Sequence, residues 1–252
     1  MSWKRTVVIV IPLLALALVT SGGVAADPVV TNGGFEMTTG TVPGQLSFNA
    51  TATGWSLANP SYTFIYSPGT GDVQPGAPGQ FGPVALWGPN NGSNNGLPAT
   101  SPAGGNFIAQ DPTIQLSPIQ QTITGFTPGN HYQLSFWWAG AQQFGFDGPT
   151  TELWHVSLGS ETHDTPTVMI GSHGFSGWMF ETLDFTATSP TELLSFLAGG
   201  GPAVTLPPFV LLDGVSITSL AVPEPTTLSL AVTGLLGLGG FYLRRRAKAV
   251  AV

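Results

Sequence analysis

Carboxylates without basic partners dominate the chemistry that this sequence offers. Between Asp27 and Leu220 the chain holds twelve Asp or Glu residues and no Lys or Arg. Such carboxylates favour hard cations, for example Ca²⁺, whose ligands are oxygen atoms. A carboxylate on the apolar face of a strand needs a cation or several hydrogen bonds. The alternative is that the carboxylate is exposed to solvent at the rim of the sheet or caps a turn. The alternation in FVLLDGVSI predicts one such face, shared by Phe209, Leu211, Asp213, Val215 and Ile217.

Trp137 is the best candidate for a ligand contact. In HYQLSFWWA, period-two alternation places Tyr132, Leu134, Phe136 and Trp138 on one face, so Trp137 points to the other. Aromatic rings stack on the C–H faces of sugars, while polar neighbours bind the hydroxyl groups. The alternative is that Trp137 packs beneath a long loop as a satellite core. Polar residues that could complete a ligand site are Gln133, Ser135, Asn106, Gln142, Gln143 and His155.

Catalytic and transition-metal chemistry have little support in the sequence. His155, His163 and His173 lack the short paired spacing of most metal sites. The stretch GFSGW is not the G-x-S-x-G nucleophile elbow. Glycosidases use two carboxylates, and Glu152, Glu181 and Asp184 are the candidates for such a pair, although any acidic chain offers similar ones.

Composition favours many short strands. The 252 residues include 34 Gly and 22 Pro, and only 8% are charged. Alternating segments separated by turn residues predict an antiparallel β-sandwich for residues 27–220. Nucleic-acid binding is excluded because the body has no Lys or Arg for phosphates. Without cysteine, the chain has no disulfides or thiolate metal sites.

Residues 1–26 are predicted to be a secretory signal peptide. Lys4 and Arg5 precede the apolar run VVIVIPLLALALV, and small residues from Val24 to Ala26 provide a cleavage site before Asp27. The alternative is an N-terminal membrane anchor, for which the apolar run is short.

Residues 221–252 form a second predicted targeting segment. Its apolar run, with the threonines before it, predicts a transmembrane helix over residues 226–243. The arginines at 244–246 would lie in the cytoplasm by the positive-inside rule, with the acidic body outside. A buried soluble helix is the alternative, and the arginine cluster argues against it.

The order VPEPTT, apolar helix and RRR resembles the PEP-CTERM sorting signal of exported bacterial proteins. The resemblance implies that Pro223, Glu224 and Pro225 are the recognition site of an exosortase. It also implies a transient anchor in the inner membrane, followed by transfer to the cell surface or extracellular matrix.

The body resembles galactose-binding-like jelly rolls, a class that includes many carbohydrate-binding modules. The resemblance rests on NGGFE, GW, GGNFIAQD, QQTITGFTPGNHYQLSFWWA, FTATS and LLDGVSI, in that order. It implies an all-β jelly-roll sandwich and a structural Ca²⁺ held by Glu36 and Asp213.

These features together predict an exported protein whose body is a non-catalytic module for exopolysaccharide or another glycan. Two alternatives stay open at this point. One is a structural matrix protein without a discrete ligand, and the other is a glycoside-active enzyme.

Overall fold

The computed structural model describes residues 27–202, 206–220, 234–239 and 241. Strands and turns make up nearly all of this part, together with a short 3₁₀ helix at Pro89–Asn91 and helical residues at 234–239. The strands are, in chain order, β1 (Thr38–Gly40), β2 (Gly44–Gln45), β3 (Ala50–Ala52), β4 (Ser56–Leu57), β5 (Thr63–Tyr66), β6 (Phe107–Gln110), β7 (Ile119–Thr124), β8 (His131–Gln142), β9 (Thr150–Leu158), β10 (Glu161–Asp164), β11 (Val168–Ile170), β12 (Met179–Thr186), β13 (Thr191–Gly201) and β14 (Pro208–Ser219).

Two antiparallel sheets face each other. Sheet I has the order β10-β9-β13-β7-β4, with β11 also paired to β9, and sheet II has the order β12-β8-β14-β6-β5-β2. From β6 to β9 the chain moves to the other sheet at every step, and β12, β13 and β14 repeat the alternation. This connectivity is that of a jelly roll, and it confirms the predicted all-β sandwich.

The main core lies between the sheets and follows the predicted alternation. In β8, Tyr132, Leu134, Phe136 and Trp138 are buried there, as the period-two pattern requires. Residues of β9 approach from the opposite sheet, where Trp154 packs edge-to-face on Phe196. The sequence pattern therefore assigns the inner faces of these two long strands correctly.

A second apolar cluster covers part of the outer face of sheet II. The sheet contributes Phe64, Tyr66, Phe107, Ala139, Ala141, Phe209 and Leu211. The long segment between β5 and β6 lies over them and supplies Ala77, Val84, Leu86 and Leu97. This insertion is thus packed against the sheet by its own apolar side chains, even though its sequence is rich in Gly, Pro and Asn.

The predicted single face of FVLLDGVSI is wrong. Phe209 and Leu211 belong to the outer cluster, whereas Val215 and Ile217 belong to the core between the sheets. The reason is an irregularity in the pairing of β14 with β8 between Asp213 and Ser216, which shifts the alternation. A β-bulge adds a residue to one strand and so reverses the faces that follow it.

The terminal segments lie largely beyond the described part of the chain. The predicted signal peptide, residues 1–26, and the Pro-Glu-Pro triplet are outside it. Of the predicted helix 226–243, residues 234–239 and 241 are described, and they are helical and exposed. Within the described ranges, no helix has both the length and the apolar character needed to cross a bilayer.

Glu152 is a buried acid in the interior of the sandwich. Its side chain points inward from β9 and is 0% exposed. It reaches Gly140 of sheet II, because a Cβ added to that glycine would lie 2.8 Å from Glu152 Oε2. Neither carboxyl oxygen has a hydrogen-bond partner among the described residues. Burial raises the pKa of Glu152 to about 8, and the neighbouring Thr150 hydroxyl offsets part of that rise.

The stability of the protein should therefore depend on the ionisation of Glu152. The folded-state pKa of about 8 exceeds the ordinary value of 4.5, so the protonated group contributes its full stability below pH 4.5. Its contribution is lost as the pH rises through about 8. We expect Glu152→Gln, which cannot ionise, to gain stability relative to the natural chain across this window. Urea unfolding at each pH measures the difference in the free energy of unfolding between the two proteins. Groups that titrate in the same way in both proteins do not affect this difference. A difference that stays constant across the window would contradict the assignment.

Candidate glycan-binding face and cation site

Part of the outer face of sheet II is left uncovered by the insertion. It is formed by β12, β8 and β14, whose outward positions carry polar side chains and two aromatic rings. Cross-strand hydrogen bonds order it: Gln133 Nε2 donates to Asp184 Oδ1 at 3.0 Å, and the hydroxyls of Ser135 and Ser216 lie 2.8 Å apart. We call this surface the open face, and define it by Gln133, Ser135, Trp137, Phe180, Thr182, Asp184, Ser216 and Thr218.

Two aromatic side chains stand together at one end of the open face. Trp137 of β8 and Phe180 of β12 are directly paired across the strands. Their ring centroids are 5.1 Å apart and the rings are tilted by 56°. Trp137 is half-buried, whereas Phe180 is 55% exposed. Large exposed aromatic surface beside polar groups is characteristic of a ligand site, because burying it in the fold would otherwise be favourable.

The bulge in β14 sets the position of Trp137. Gly214 has φ +60°, a left-handed conformation that glycine adopts without strain. A Cβ at this position would lie 3.2 Å from Trp137 Cδ1 and 2.7 Å from Ala103 Cβ. The edge of the indole is therefore confined by the β14 backbone and the end of the insertion, while Phe180 flanks it on the other strand.

Asp213 lies under the end of the insertion, directly paired with Trp137 in the sheet. It is 0% exposed, it accepts a hydrogen bond from the Ser101 hydroxyl, and Gly214 N donates to its Oδ1 at 2.6 Å. Glu36 approaches the same place: a Cβ on Gly34 would be 3.9 Å from Asp213 Oδ1 and 4.0 Å from Glu36 Oε1. The structure thus brings Glu36 and Asp213 together.

The electrostatics of this pair suit a bound cation. Burial raises the pKa of Asp213 to about 7, and the negative charge of Glu36 adds to the rise. Asn106 lies beside them, because its backbone N–H donates to Glu36 Oε1 at 2.8 Å. The described residues contain no group of three or more His, Asp or Glu side chains that could hold a metal. Two carboxylates still fit Ca²⁺, whose remaining ligands can be hydroxyl, carbonyl or water oxygens.

The other predicted ligand residues lie apart from the open face. Gln142 is buried, donates to Gly148 O at 3.0 Å and accepts from His173 N at 2.6 Å, so it fixes two loops. Gln143 forms a β-bridge with Leu86 of the insertion. Of the predicted ligand residues, Gln133 and Ser135 share the open face with Trp137, whereas Asn106 is buried beside Glu36.

His155 is on the outer face of sheet I, on the far side of the sandwich. Its Nδ1 lies 2.6 Å from Asp164 Oδ1, and it borders a surface recess on sheet I. Ser157, Thr162 and Ser195 line the same recess. His155 therefore cannot contribute to one site with Trp137.

The carboxylates considered for glycoside chemistry are also separated. Glu152 is enclosed between the sheets, whereas Asp184 is on the open face. Glu181 pairs with Phe136, an inward-facing residue, and so lies on the opposite side of β12 from Asp184. This arrangement does not place two of these acids on either side of one ligand.

Phe180 is the site residue that the sequence reasoning missed, together with the polar partners Ser216 and Thr218. A signal for Phe180 existed in MFETLDFTA. Met179, Leu183 and Phe185 share the apolar phase of this strand, and Phe180 is a large aromatic residue in the opposite phase. The sequence alone does not show that Phe180 lies next to the outward Trp137. That contact becomes evident only from the pairing of β12 with β8.

Comparison with known families identifies the C-terminal segment. Residues 221–246 match the PEP-CTERM protein-sorting motif, which confirms the resemblance noted in the sequence. The motif implies an exported protein that is a substrate of an exosortase. Among curated proteins, none matches this chain.

Solved structures similar to the chain include two carbohydrate-binding modules. TmCBM61 in complex with beta-1,4-galactotriose is 13% identical, with 75% of this chain and 97% of that chain covered and a TM-score of 0.33. The CBM22-1 xylan-binding domain of Paenibacillus barcinonensis Xyn10C is 8% identical, with coverages of 76% and 97% and a TM-score of 0.35.

A third similar structure is the enzymatically active domain of bacteriophage CBA120 tailspike protein 4. It is 14% identical with a TM-score of 0.34, and 76% of this chain is covered. The match spans only 21% of the tailspike chain. At such identities and TM-scores, these likenesses assign neither ligand nor activity to the present chain.

Proposed function

We propose that this exported protein binds a glycan, without cleaving it, on the open face of its jelly roll. The observation that carries the proposal is the aromatic pair at one end of the open face. Trp137 is half-buried and Phe180 is 55% exposed, and polar side chains lie next to both. A sugar ring offers an apolar C–H face to such rings, and its hydroxyl groups bind the neighbouring amide and hydroxyl side chains.

The tilt of the two rings favours contact with successive sugars of a chain. Rings inclined by 56° form an angled surface and not a single plane. The polar residues then continue along β8 and β14 away from the rings. An exopolysaccharide or another extended glycan matches this layout better than a monosaccharide.

The glycoside-active alternative is less well supported because the candidate carboxylates are separated. The structural-matrix alternative needs no ligand at all, but it gives no reason for an exposed aromatic pair on an ordered polar face.

Substitution of either ring should weaken glycan binding. We expect Trp137→Ala and Phe180→Ala in the full chain each to reduce affinity roughly tenfold, a loss of about 1.4 kcal/mol. Affinity electrophoresis in gels containing the polysaccharide of the producing cells, or a panel of plant and bacterial glycans, measures this change.

Phe48→Ala is the matched control, because Phe48 is 58% exposed but lies in the turn before β3. It should leave retardation unchanged, and no glycan should be shortened during incubation. Retardation that is absent in the natural chain would favour the structural alternative. Glycan shortening that Glu181→Gln abolishes would favour the enzyme.

We further propose that Glu36 and Asp213 hold a structural Ca²⁺. The ion would neutralise two neighbouring carboxylates in a body without Lys or Arg. It would also tie the first turns of the body to β14 and to the end of the insertion at Ser101. Through Asp213, it would steady the strand segment that is paired with Trp137.

Calcium should raise the melting temperature of the protein. At a free concentration about 100 times its Kd, a ligand specific for the native state stabilises by about 2.7 kcal/mol. For a protein of this size, that corresponds to a rise of about 5 to 10 °C. Differential scanning calorimetry with Ca²⁺ or a chelator measures it.

Glu36→Gln and Asp213→Asn should lose this response, and Asp164→Asn, an equal change of charge on sheet I, should keep it. The calcium site is wrong if the natural chain has the same melting temperature with Ca²⁺ and with a chelator. It is also wrong if Ca²⁺ raises the melting temperature of Asp213→Asn as much as that of the natural chain.

We propose that the chain is held in the inner membrane until an exosortase recognises Pro223, Glu224 and Pro225, and then passes to the cell surface or matrix. The proposal rests on the sorting motif and on the cluster of arginines that follows its apolar run.

Replacing the three triplet residues by Ala should block processing. We expect the variant to remain in the membrane fraction at its unprocessed mass, and we expect the same of the natural chain in cells that lack the exosortase. Mass spectrometry of fractionated cells measures both. Normal processing of the variant would show that the triplet is not recognised.

A further inference from the structure

The open face carries one carboxylate and no described cation to neutralise it. Asp184 is exposed on β12, and its hydrogen-bond partner is the neutral amide of Gln133 at 3.0 Å. The nearest titratable base on this face is His131, a diagonal cross-strand neighbour of Asp184, and its imidazole lies 3.1 Å from the Thr186 hydroxyl. Asp184 therefore remains available to a charged group of a ligand.

The surrounding charge has the same sign. Residues 27–220 contain no Lys or Arg, and their formal charge is −12 with neutral histidines. A surface field of one sign attracts ligands of the opposite charge and repels those of the same charge. Glycans that carry carboxylate or sulfate groups would meet this field without an Arg or Lys to pair with them.

Asp184 is also within reach of a glycan that is stacked on the rings. It is paired with Gln133, and Phe180 is paired with Trp137, so the two pairs are four positions apart along the strands. At about 3.3 Å per residue, this is about 13 Å along the strands. A chain of several sugars lying along β8 therefore contacts both the aromatic pair and the carboxylate, whereas one sugar does not.

We propose that the preferred ligand is a polysaccharide containing sugars with free amino groups, and that Asp184 pairs with one of their ammonium groups. This inference rests on the proposed glycan-binding function. Each ammonium can donate to the carboxylate a charge-assisted hydrogen bond, which is stronger than one between neutral groups. Acetylation of the amine removes the charge and leaves the stacking surface of the ring unchanged.

The test compares three oligosaccharides on the full chain, kept in a detergent that carries no sugar. They are hexamers of glucosamine, of N-acetylglucosamine and of galacturonic acid, measured by calorimetry at low ionic strength and mildly acidic pH, where the amines are charged. We expect glucosamine to bind roughly three- to tenfold more tightly than N-acetylglucosamine, and the uronate to bind most weakly. Added salt should reduce the preference.

Asp184→Asn should remove the preference for the amine, so that the glucosamine and N-acetylglucosamine hexamers bind with similar affinity. Asp164→Asn, the same change of charge on sheet I, should retain the preference. The inference is overturned if the preference survives in Asp184→Asn, if both Asn variants lose it equally, or if the uronate binds best. Unchanged melting temperatures of both variants establish that the fold is retained.

The failure of the glycan-binding proposal would look different. If Trp137→Ala binds every hexamer as the natural chain does, the open face is not the glycan site, whatever the order of affinities. If the natural chain binds none of the three hexamers, both the amine preference and this class of ligand are wrong. If the rings are required but the amine gives no advantage, only the inference about charge fails.

Discussion

The bulge at Asp213 and Gly214 is the constraint that lets β14 contribute both to the outer cluster under the insertion and to the core between the sheets. Before it, the outward residues of β14 support the insertion, and after it the apolar residues turn into the core between the sheets. A regular strand could not change the faces of its side chains in this way. The left-handed conformation of Gly214 makes the change possible, and it also leaves the space that the edge of Trp137 occupies. The change of faces in β14, the hydrogen bond from Gly214 N to Asp213 and the confinement of the Trp137 edge all occur at this one irregularity.

The absence of basic residues is the second constraint, and it governs how the buried acids are accommodated. With no Lys or Arg from 27 to 220, a buried carboxylate can be protonated, hydrogen-bonded or bound to a cation. Glu152, which lacks described partners, is suited to the first solution. Asp213 accepts hydrogen bonds from two donors and has a neighbouring carboxylate, so it is suited to binding a cation. Their different surroundings, and not their residue types, separate a structural acid from a candidate ligand of Ca²⁺.

The sequence predicts the strands well and their mutual positions poorly. Alternation in β8 and β9 is long and regular, so the inward faces could be read directly. The same reasoning failed for β14, because no periodic pattern signals where a bulge reverses the faces. His155 and Trp137 seemed able to share a site, yet strand order places them on different sheets. Such pairings join residues far apart in the chain, and local patterns carry no information about them.

The boundary of the insertion explains why Trp137 suits a ligand better than a freely exposed ring would. Its outward neighbours along β8 change from polar Gln133 and Ser135 to small Ala139 and Ala141, which the insertion covers. Trp137 lies where this cover ends, so one edge of its ring packs beside the end of the insertion and the rest is available to the proposed ligand. One edge is confined by Gly214, and the other side meets the exposed Phe180. A ring held in this way loses little conformational freedom on binding, so more of the stacking energy is available for affinity.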